Sequence, residues 1–191
     1  MALINVANRE IQCKIVYYGT GFCGKTTNLQ YIYRHAPQQA RGDLLSIATE
    51  SERTLFFDFL PLDLGSVHGF RVRFALYTVP GQVLYERTRV AVLNGVDGLV
   101  FVADSAPEKL EENFQNLIEL ETNVKRMSKD LGAFPFVMQW NKRDLPNAVP
   151  VETLERYLNR RHAPTFQASA LTGVGVFPTL RAICKGVMAN L

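Results

Sequence analysis

The sequence predicts an α/β protein with a mostly parallel central sheet, one antiparallel pairing at its edge, and helices on both faces. Apolar segments of strand length alternate with amphipathic segments of helix length along the 191 residues. Such alternation favours parallel pairing through right-handed crossovers. Because the chain shows neither a linker nor a repeat, we expect a single domain over residues 1–191.

The first predicted strand, Ile11–Tyr18, is an apolar segment that leads into a glycine-rich loop. The helix after the loop has apolar residues at helical spacing up to Ala36, and Pro37 ends it. The polar segment 40–53 is predicted to be a loop.

Two strands follow, Thr54–Leu62 and Gly69–Thr78, with Asp63–His68 as their connection. Apolar and polar residues alternate along the second strand, which indicates one buried face and an antiparallel pairing with the first. The aromatic string Phe56–Phe59 favours a strand with one core face, and the alternative is a partner-binding edge.

The second half of the chain continues the alternation. A capping box of Ser105 and Glu108 predicts the start of a long helix that reaches Leu131 and ends at Gly132. The other predicted elements are helices over Gln82–Leu93, Glu152–Arg161 and Val176–Leu191, and strands over Gly98–Ala103, Phe136–Trp140 and Thr165–Ala168.

Composition narrows the functional class. The net charge of +3 is too small and too dispersed to support nucleic-acid binding. The three cysteines form no CxxC pair, which fits a reducing cytosol. With no apolar segment long enough to span a bilayer, no signal peptide and no lipidation motif, we expect a cytoplasmic protein without a direct membrane anchor.

Residues 19–26 form a complete GxxxxGK[ST] phosphate-binding loop between a strand and a helix. Its glycines let backbone N–H groups surround an anion at the start of a helix, where the helix dipole is positive. Lys25 is predicted to reach the outer phosphates, and the Thr26 hydroxyl to bind Mg²⁺. The predicted nucleotide-binding residues here are Gly19, Thr20, Gly21, Phe22, Cys23, Gly24, Lys25, Thr26 and Thr27.

The segment Asn141–Asp144 indicates guanine as the base. It matches the NKxD pattern directly after a buried strand, and the alternative is a solvated charged turn. The Asp144 carboxylate is predicted to accept hydrogen bonds from the guanine N1–H and amino group, donors that adenine does not offer in this arrangement. Asn141 would tie this segment to the phosphate loop, and the Lys142 stem would lie along the base. The weaker signal Ser169, Ala170 and Leu171 is predicted to bind the base through its backbone.

A third motif is Val79–Gln82, directly after the strand that ends at Thr78. Small GTPases carry an Asp-x-x-Gly-Gln segment at this place. In that class the glycine contacts the γ-phosphate and the glutamine positions the attacking water, roles that fall here on Gly81 and Gln82. The aspartate position is occupied by Thr78, so the way in which the coordination of Mg²⁺ is completed stays open.

The segment before the second strand occupies the place of switch I. Its metal-binding threonine is either Thr49 or Thr54. Arg53 is a candidate arginine finger acting in cis, and the alternative is a solvent-facing arginine on a loop.

These motifs occur in the order found in small GTPases, and together they resemble the MglA family of bacterial Ras-like GTPases of cell polarity and gliding motility. The resemblance extends from Ile4 to the C-terminal helix. The segments that carry it are Lys14–Gly19, Cys23–Tyr33, Arg53–Pro61, Tyr77–Gln82 and Asn141–Ala148.

The resemblance implies a Ras-like P-loop GTPase fold, GTP and GDP as ligands, and Thr54 as the switch threonine. It also implies catalytic roles for Gln82 and Arg53, with Arg53 acting from within the chain, and it makes Thr78 a mark of the family. Lys25 is predicted to be catalytic from the phosphate loop itself, because its ammonium would neutralise the charge that builds on the β–γ bridge. The implied partners are a Roadblock-type homodimeric activating protein of the MglB kind and polarity and motility effectors, with recruitment to the cell pole.

Two other functions stay open at this point. Thr78 keeps a GTP-binding scaffold with little hydrolysis among the possibilities. A small-molecule kinase would need a lid with catalytic arginines, and the chain has no inserted segment for one.

Overall fold

The computed structural model describes residues 2–47, 57–80 and 86–191. The strands are β1 Leu3–Asn5, β2 Glu10–Tyr18, β3 Leu45–Ile47, β4 Phe57–Val67, β5 Phe70–Thr78, β6 Gly98–Asp104, β7 Phe136–Asn141 and β8 Thr165–Gln167. The α-helices are α1 Lys25–His35, α2 Glu86–Leu93, α3 Leu110–Arg126, α4 Val151–Leu158 and α5 Val176–Ala189.

The strands form one sheet in the order β3-β4-β5-β2-β6-β7-β8. The five strands β5, β2, β6, β7 and β8 are parallel, with β2 between β5 and β6. The first half of β2 also pairs with the short β1 in antiparallel orientation. The parallel part places the loops after β2, β5, β6, β7 and β8 at one edge of the sheet, where α/β folds bind ligands.

The predicted antiparallel pairing of β4 with β5 is confirmed. The predicted connection between them is wrong, because β4 continues to Val67 and the turn consists of His68 and Gly69. Both turn residues have positive φ, 50° and 81°, as a two-residue turn between twisted strands requires. Segment 40–53, predicted as a loop, contributes β3, which pairs with β4.

The predicted capping box at Ser105 is also wrong. The backbone of Ser105 binds other parts of the chain instead, since its N–H donates to Asn141 O at 3.0 Å and its carbonyl accepts from Val149 N at 2.8 Å. A short 3₁₀ turn over Pro107–Lys109 then leads into α3, which begins at Leu110 and ends at Arg126 rather than near Leu131.

Helices cover both faces of the sheet, as the sequence predicts. Helices α1 and α5 pack on one face through residues such as Leu29, Ile32, Leu180 and Ile183. Helices α2, α3 and α4 pack on the other through Leu93, Leu120 and Leu154. Of the helices described, none has the length and apolar character needed to cross a membrane.

Candidate functional site

The phosphate loop connects β2 to α1 and depends on glycine at two positions. Gly19 and Gly24 have φ of +151° and +100°, in the region that favours glycine. A Cβ atom on Gly19 would lie 2.3 Å from Val102 O, and one on Gly24 would lie 2.2 Å from Asn141 Nδ2. The loop is therefore packed against β6 and β7 too closely for side chains at these positions.

Lys25 is the first residue of α1, and its ammonium is buried inside the loop. It donates hydrogen bonds to Gly19 O at 2.9 Å and Thr20 O at 2.6 Å. No side chain caps the helix at Gly24, so the first-turn N–H groups face the loop without an intrahelical partner. An ammonium group and free N–H groups at one helix start provide the chemistry of a phosphate site.

Asn141 joins the phosphate loop to the loop after β8. Its side chain is buried, donates from Nδ2 to Cys23 O at 2.7 Å, and accepts at Oδ1 from Ala170 N at 2.9 Å. The contact predicted between this segment and the phosphate loop is present.

The other predicted guanine-binding residues surround this junction. Lys142 places its Nζ 2.5 Å from Asp104 Oδ2, so the ammonium is held at the end of β6 while the stem stays partly exposed. Asp144 lies exposed in the turn closed by Leu145 N and Lys142 O. In the loop after β8, the Ser169 N–H donates to Val174 O at 2.9 Å. Leu171 is exposed at the rim of the same loop.

Phe22, at the tip of the phosphate loop, is 85% exposed. Of the remaining loop residues, Thr20 and Cys23 are buried, Gly21 and Thr27 are half-buried, and the Thr26 side chain is accessible. All predicted nucleotide-binding residues within the described part of the chain thus lie at one edge of the sheet.

Five predicted site residues lie outside the described residues: Thr49, Arg53, Thr54, Gly81 and Gln82. Their roles stay predictions.

Asp58 is a candidate site residue that sequence reasoning missed. Its buried carboxylate accepts hydrogen bonds from Thr26 Oγ1 at 2.6 Å, Ser46 Oγ at 2.7 Å and Thr78 Oγ1 at 3.0 Å. Asp58 lies on β4 beside Thr78 on β5, and its N–H also donates to Thr78 Oγ1. A carboxylate on the neighbouring strand therefore lies next to Thr78 and contacts the Thr26 hydroxyl, which is predicted to bind Mg²⁺.

The sequence contains a signal for Asp58. Asp58, Leu60 and Leu62 share the buried face of β4, while Phe57, Phe59 and Pro61 on the other face are half-buried. A carboxylate on the core side of a strand needs hydrogen-bonding partners or a cation, and is a marker of function.

A second buried polar cluster lies under α2. Arg89 is fully buried, donates from Nε to Pro80 O at 2.9 Å, and pairs with Glu119 on α3. The Tyr18 hydroxyl, next to the phosphate loop, donates to Glu119 Oε1 at 3.3 Å. Burial, reinforced by the charge of Glu119, raises the pKa of Tyr18 to about 12, so the phenol stays a neutral donor. The ends of β2 and β5 are thus linked through α2 and α3.

The sheet order, the phosphate loop and its junction with the Asn141 segment define a Ras-like small GTPase, a class that binds guanine nucleotides. No protein-family model matches the chain. It is 56% identical over 191 residues to the mutual gliding-motility protein MglA of Myxococcus xanthus (strain DK1622), covering 100% of this chain and 98% of that protein. The small COPII coat GTPase SAR1 of Giardia intestinalis is 30% identical over 95 residues, 49% of this chain and 47% of that protein. The chain belongs to the MglA family.

The Asn141→Ala substitution is expected to lower the free energy of unfolding. It leaves the buried Cys23 carbonyl and Ala170 N–H without their partner, which costs about 1–3 kcal/mol for each unsatisfied group. Urea unfolding measures the effect. The exposed Asn147 is the control, and Asn147→Ala should change the free energy by less than about 0.5 kcal/mol. Equal stability of the two variants would show that Asn141 does not tie the loops.

Proposed function

We propose that this chain is a cytoplasmic GTP-hydrolysing switch that controls cell polarity and gliding motility through partners that distinguish its GTP and GDP states. The observation that carries the proposal is full-length similarity to MglA combined with the meeting of the phosphate loop and the Asn141 segment at one sheet edge. The proposed partners are a Roadblock-type homodimeric activating protein of the MglB kind and motility effectors, with recruitment to the cell pole. We propose neither nucleic-acid binding nor direct anchoring in a membrane.

Guanine is selected by the exposed carboxylate of Asp144, which accepts hydrogen bonds from the base N1–H and amino group. The position of Lys142 supports this role, because its ion pair with Asp104 holds the stem beside the same turn. The Ser169, Ala170 and Leu171 backbone borders the other side of the base, and Asn141 fixes Ala170 there.

Hydrolysis is proposed to follow in-line attack of water on the γ-phosphate. Lys25 and the N–H groups of the phosphate loop offset the negative charge that develops on the bridging oxygen. Gln82 orients the water, and Arg53 covers the γ-phosphate charge from within the chain. Without the activating partner to hold these two side chains in place, hydrolysis is slow.

The donor set fits Mg²⁺. This hard cation takes hydroxyl, phosphate and water oxygens together with one or two carboxylates, and Thr26 and Asp58 supply a hydroxyl and a carboxylate 2.6 Å apart. Thr26 and Thr54 are proposed as direct ligands, and Asp58 as the carboxylate that orients the coordination shell. When bound, Mg²⁺ would neutralise phosphate charge.

The proposed activity is tested by multiple-turnover phosphate release from GTP, with and without a Roadblock-type homodimer of the MglB kind. Arg53→Ala is expected to lower the stimulated rate by about 10³-fold, the lower end of arginine-finger effects, while nucleotide affinity stays nearly unchanged. Gln82→Ala should also retain binding and slow turnover. The control is Arg71→Ala, whose side chain is 57% exposed and pairs with Asp63 near the β4–β5 turn.

Three results would contradict this account. GTP binding without stimulated phosphate release would make the chain a binding scaffold. Stimulated rates that survive Gln82→Ala would remove the water-positioning role. Rates that are equal in Arg53→Ala and Arg71→Ala would reduce Arg53 to a surface residue.

Asp144→Asn is expected to weaken GTP binding and to favour xanthosine triphosphate, because the amide then offers a donor to the O2 atom of xanthine. Calorimetry with both nucleotides measures the change, and a fall in GTP affinity of about tenfold or more is expected from the loss of a charge-assisted pair. Asp130→Asn, in a residue whose side chain is 62% exposed, is the control. Unchanged GTP affinity in Asp144→Asn would remove this carboxylate from the base site.

Asp58→Asn is expected to raise the Mg²⁺ concentration needed to retain bound nucleotide by about 10–100-fold, the usual effect of losing an outer carboxylate. Titration of Mg²⁺ against the release rate of a fluorescent GDP analogue measures it. Asp63→Asn, on the same strand but paired with Arg71, is the matched control. If both variants keep the Mg²⁺ dependence of the parent protein, Asp58 has only a structural role.

A further inference from the structure

A second connection between the phosphate loop and the loop after β8 lies beneath Asn141. We call that loop, residues 168–175, the guanine-binding loop after its proposed role. Asn28 on α1, Gln139 on β7 and Thr179 on α5 are each 0% exposed, and we call these three side chains the amide bridge. Asn28 and Gln139 exchange two hydrogen bonds, Asn28 Nδ2 to Gln139 Oε1 at 2.9 Å and Gln139 Nε2 to Asn28 Oδ1 at 3.1 Å. Gln139 Nε2 also donates to Thr179 Oγ1 at 3.0 Å.

Each end of the amide bridge binds a backbone carbonyl beside one of the two loops. Asn28 Nδ2 donates to Gly24 O at 2.9 Å, and Gly24 is the last residue of the phosphate loop before α1. Thr179 Oγ1 donates to Gly175 O at 2.7 Å, and Gly175 is the N-cap of α5. A β-bridge between Ser169 and Val174 closes the segment that carries the predicted base contacts, and Gly175 directly follows Val174.

The two carbonyls fix the direction of every hydrogen bond in the amide bridge. Only the amide nitrogen of Asn28 can donate to Gly24 O, which leaves its oxygen to accept from Gln139. The hydroxyl of Thr179 uses its single proton on Gly175 O and therefore accepts from Gln139 Nε2. Both protons of each amide nitrogen are used, so the bridge is a fully satisfied network, and such networks hold one geometry.

Gln139 stands on the same face of β7 as Asn141, two residues earlier on the strand. The neighbouring residue on that face, Val137, belongs to the apolar cluster formed with α1 and α5. An apolar side chain at position 139 would suit this cluster, so packing alone does not account for a glutamine. What the glutamine adds is a second link between the loops, parallel to the one through Asn141.

The guanine-binding loop is also seated closely on α1. A Cβ atom on Gly173 would lie 1.8 Å from the Tyr31 ring, and one on Gly175 would lie 2.1 Å from Gln167 O. Both glycines have positive φ, 89° and 73°. The loop therefore has little freedom to shift on α1 as long as the amide bridge holds its end.

We propose that Gln139 is a positioning residue that fixes the spacing between the phosphate loop and the guanine-binding loop and thereby sets the lifetime of bound nucleotide. The inference rests on the proposed function, in which one nucleotide contacts both loops. Gln139 acts through the backbone of Gly24 and Gly175. Loops that are held in the bound spacing before the nucleotide arrives lose less conformational entropy on binding, which raises the affinity. Because changes in affinity among variants of one site appear mainly in the dissociation rate, the complex lasts longer.

The test compares Gln139→Met with the double variant Asn28→Leu/Gln139→Met. The single change leaves the Asn28 amide without its partner and lowers both the melting temperature and the nucleotide lifetime. In the double variant both partners of the reciprocal pair become apolar, and such paired replacement restores most of the stability. The hydrogen-bonded link from α1 through position 139 to Thr179 on α5 stays broken, so the lifetime does not recover.

The readouts are the thermal melting temperature and the dissociation rate of a fluorescent GDP analogue, chased with excess GDP well below the melting temperature. Both variants are expected to release the analogue about tenfold faster than the parent protein, the scale expected from one lost buried hydrogen-bonded group. Asn159→Ala is the matched control, because Asn159 is a buried asparagine bonded to Glu155 and Ala163 at the end of α4, and these partners belong to neither loop. This control should lower the melting temperature without changing the dissociation rate.

Two outcomes would overturn the inference while leaving the proposed function intact. One is recovery of nucleotide lifetime together with stability in the double variant. The other is an equal increase in the dissociation rate of the GDP analogue in Asn159→Ala and Gln139→Met. Either outcome would show that the bridge contributes to stability alone. Failure of the unsubstituted protein to bind the GDP analogue would overturn the proposed function, and this inference with it.

Discussion

The architecture of the site depends on one buried side chain, Asn141, which joins parts of the chain that lie 118 residues apart in sequence. Its amide can bind Cys23 and Ala170 together because parallel pairing brings the ends of β2, β7 and β8 to one edge of the sheet. The close approach of Gly24 to Asn141 follows from the same geometry. The sheet therefore determines the spacing between the predicted phosphate and base sites, and the hydrogen bonds of Asn141 fix it.

The proposed metal side of the site is organised across two antiparallel strands rather than along one. Thr78 occupies the position at which other small GTPases carry an aspartate, while Asp58 supplies a carboxylate from the adjacent strand and receives three hydroxyl hydrogen bonds. A buried carboxylate is stable only when such donors or a cation compensate for its lost hydration. The pairing of β4 with β5 thus determines where the charge lies, and a register shift of one residue would turn Asp58 to the other face.

The sequence was sufficient for the fold and for locating the phosphate-loop and NKxD segments, because these depend on local patterns such as a glycine-rich turn between a strand and a helix. The binding roles of these segments stay predictions. It failed where the outcome depends on distant partners. Ser105 has the local signature of a helix cap, yet its backbone is bound by Asn141 and Val149 from other elements. Strand β3 has only three residues, too few for a periodic signal, and is recognised through its pairing with β4. Asp58 and Gln139 were missed for the same reason, since each gains its meaning from side chains on neighbouring elements.

The base side and the γ-phosphate side of the proposed site are held by different kinds of hydrogen bonds. This difference would decide which side can rearrange in the proposed switch. The base side rests on two parallel sets of buried hydrogen bonds, through Asn141 and through Gln139, both anchored in the interior of the sheet. On the proposed γ-phosphate side, Asp58 is held by hydroxyls that include those of the accessible residues Thr26 and Ser46. Hydroxyls near solvent exchange partners at lower cost than buried amides, because water can replace the lost bond. Nucleotide exchange and switching are therefore expected to reorganise the Asp58 cluster while the base side keeps its geometry.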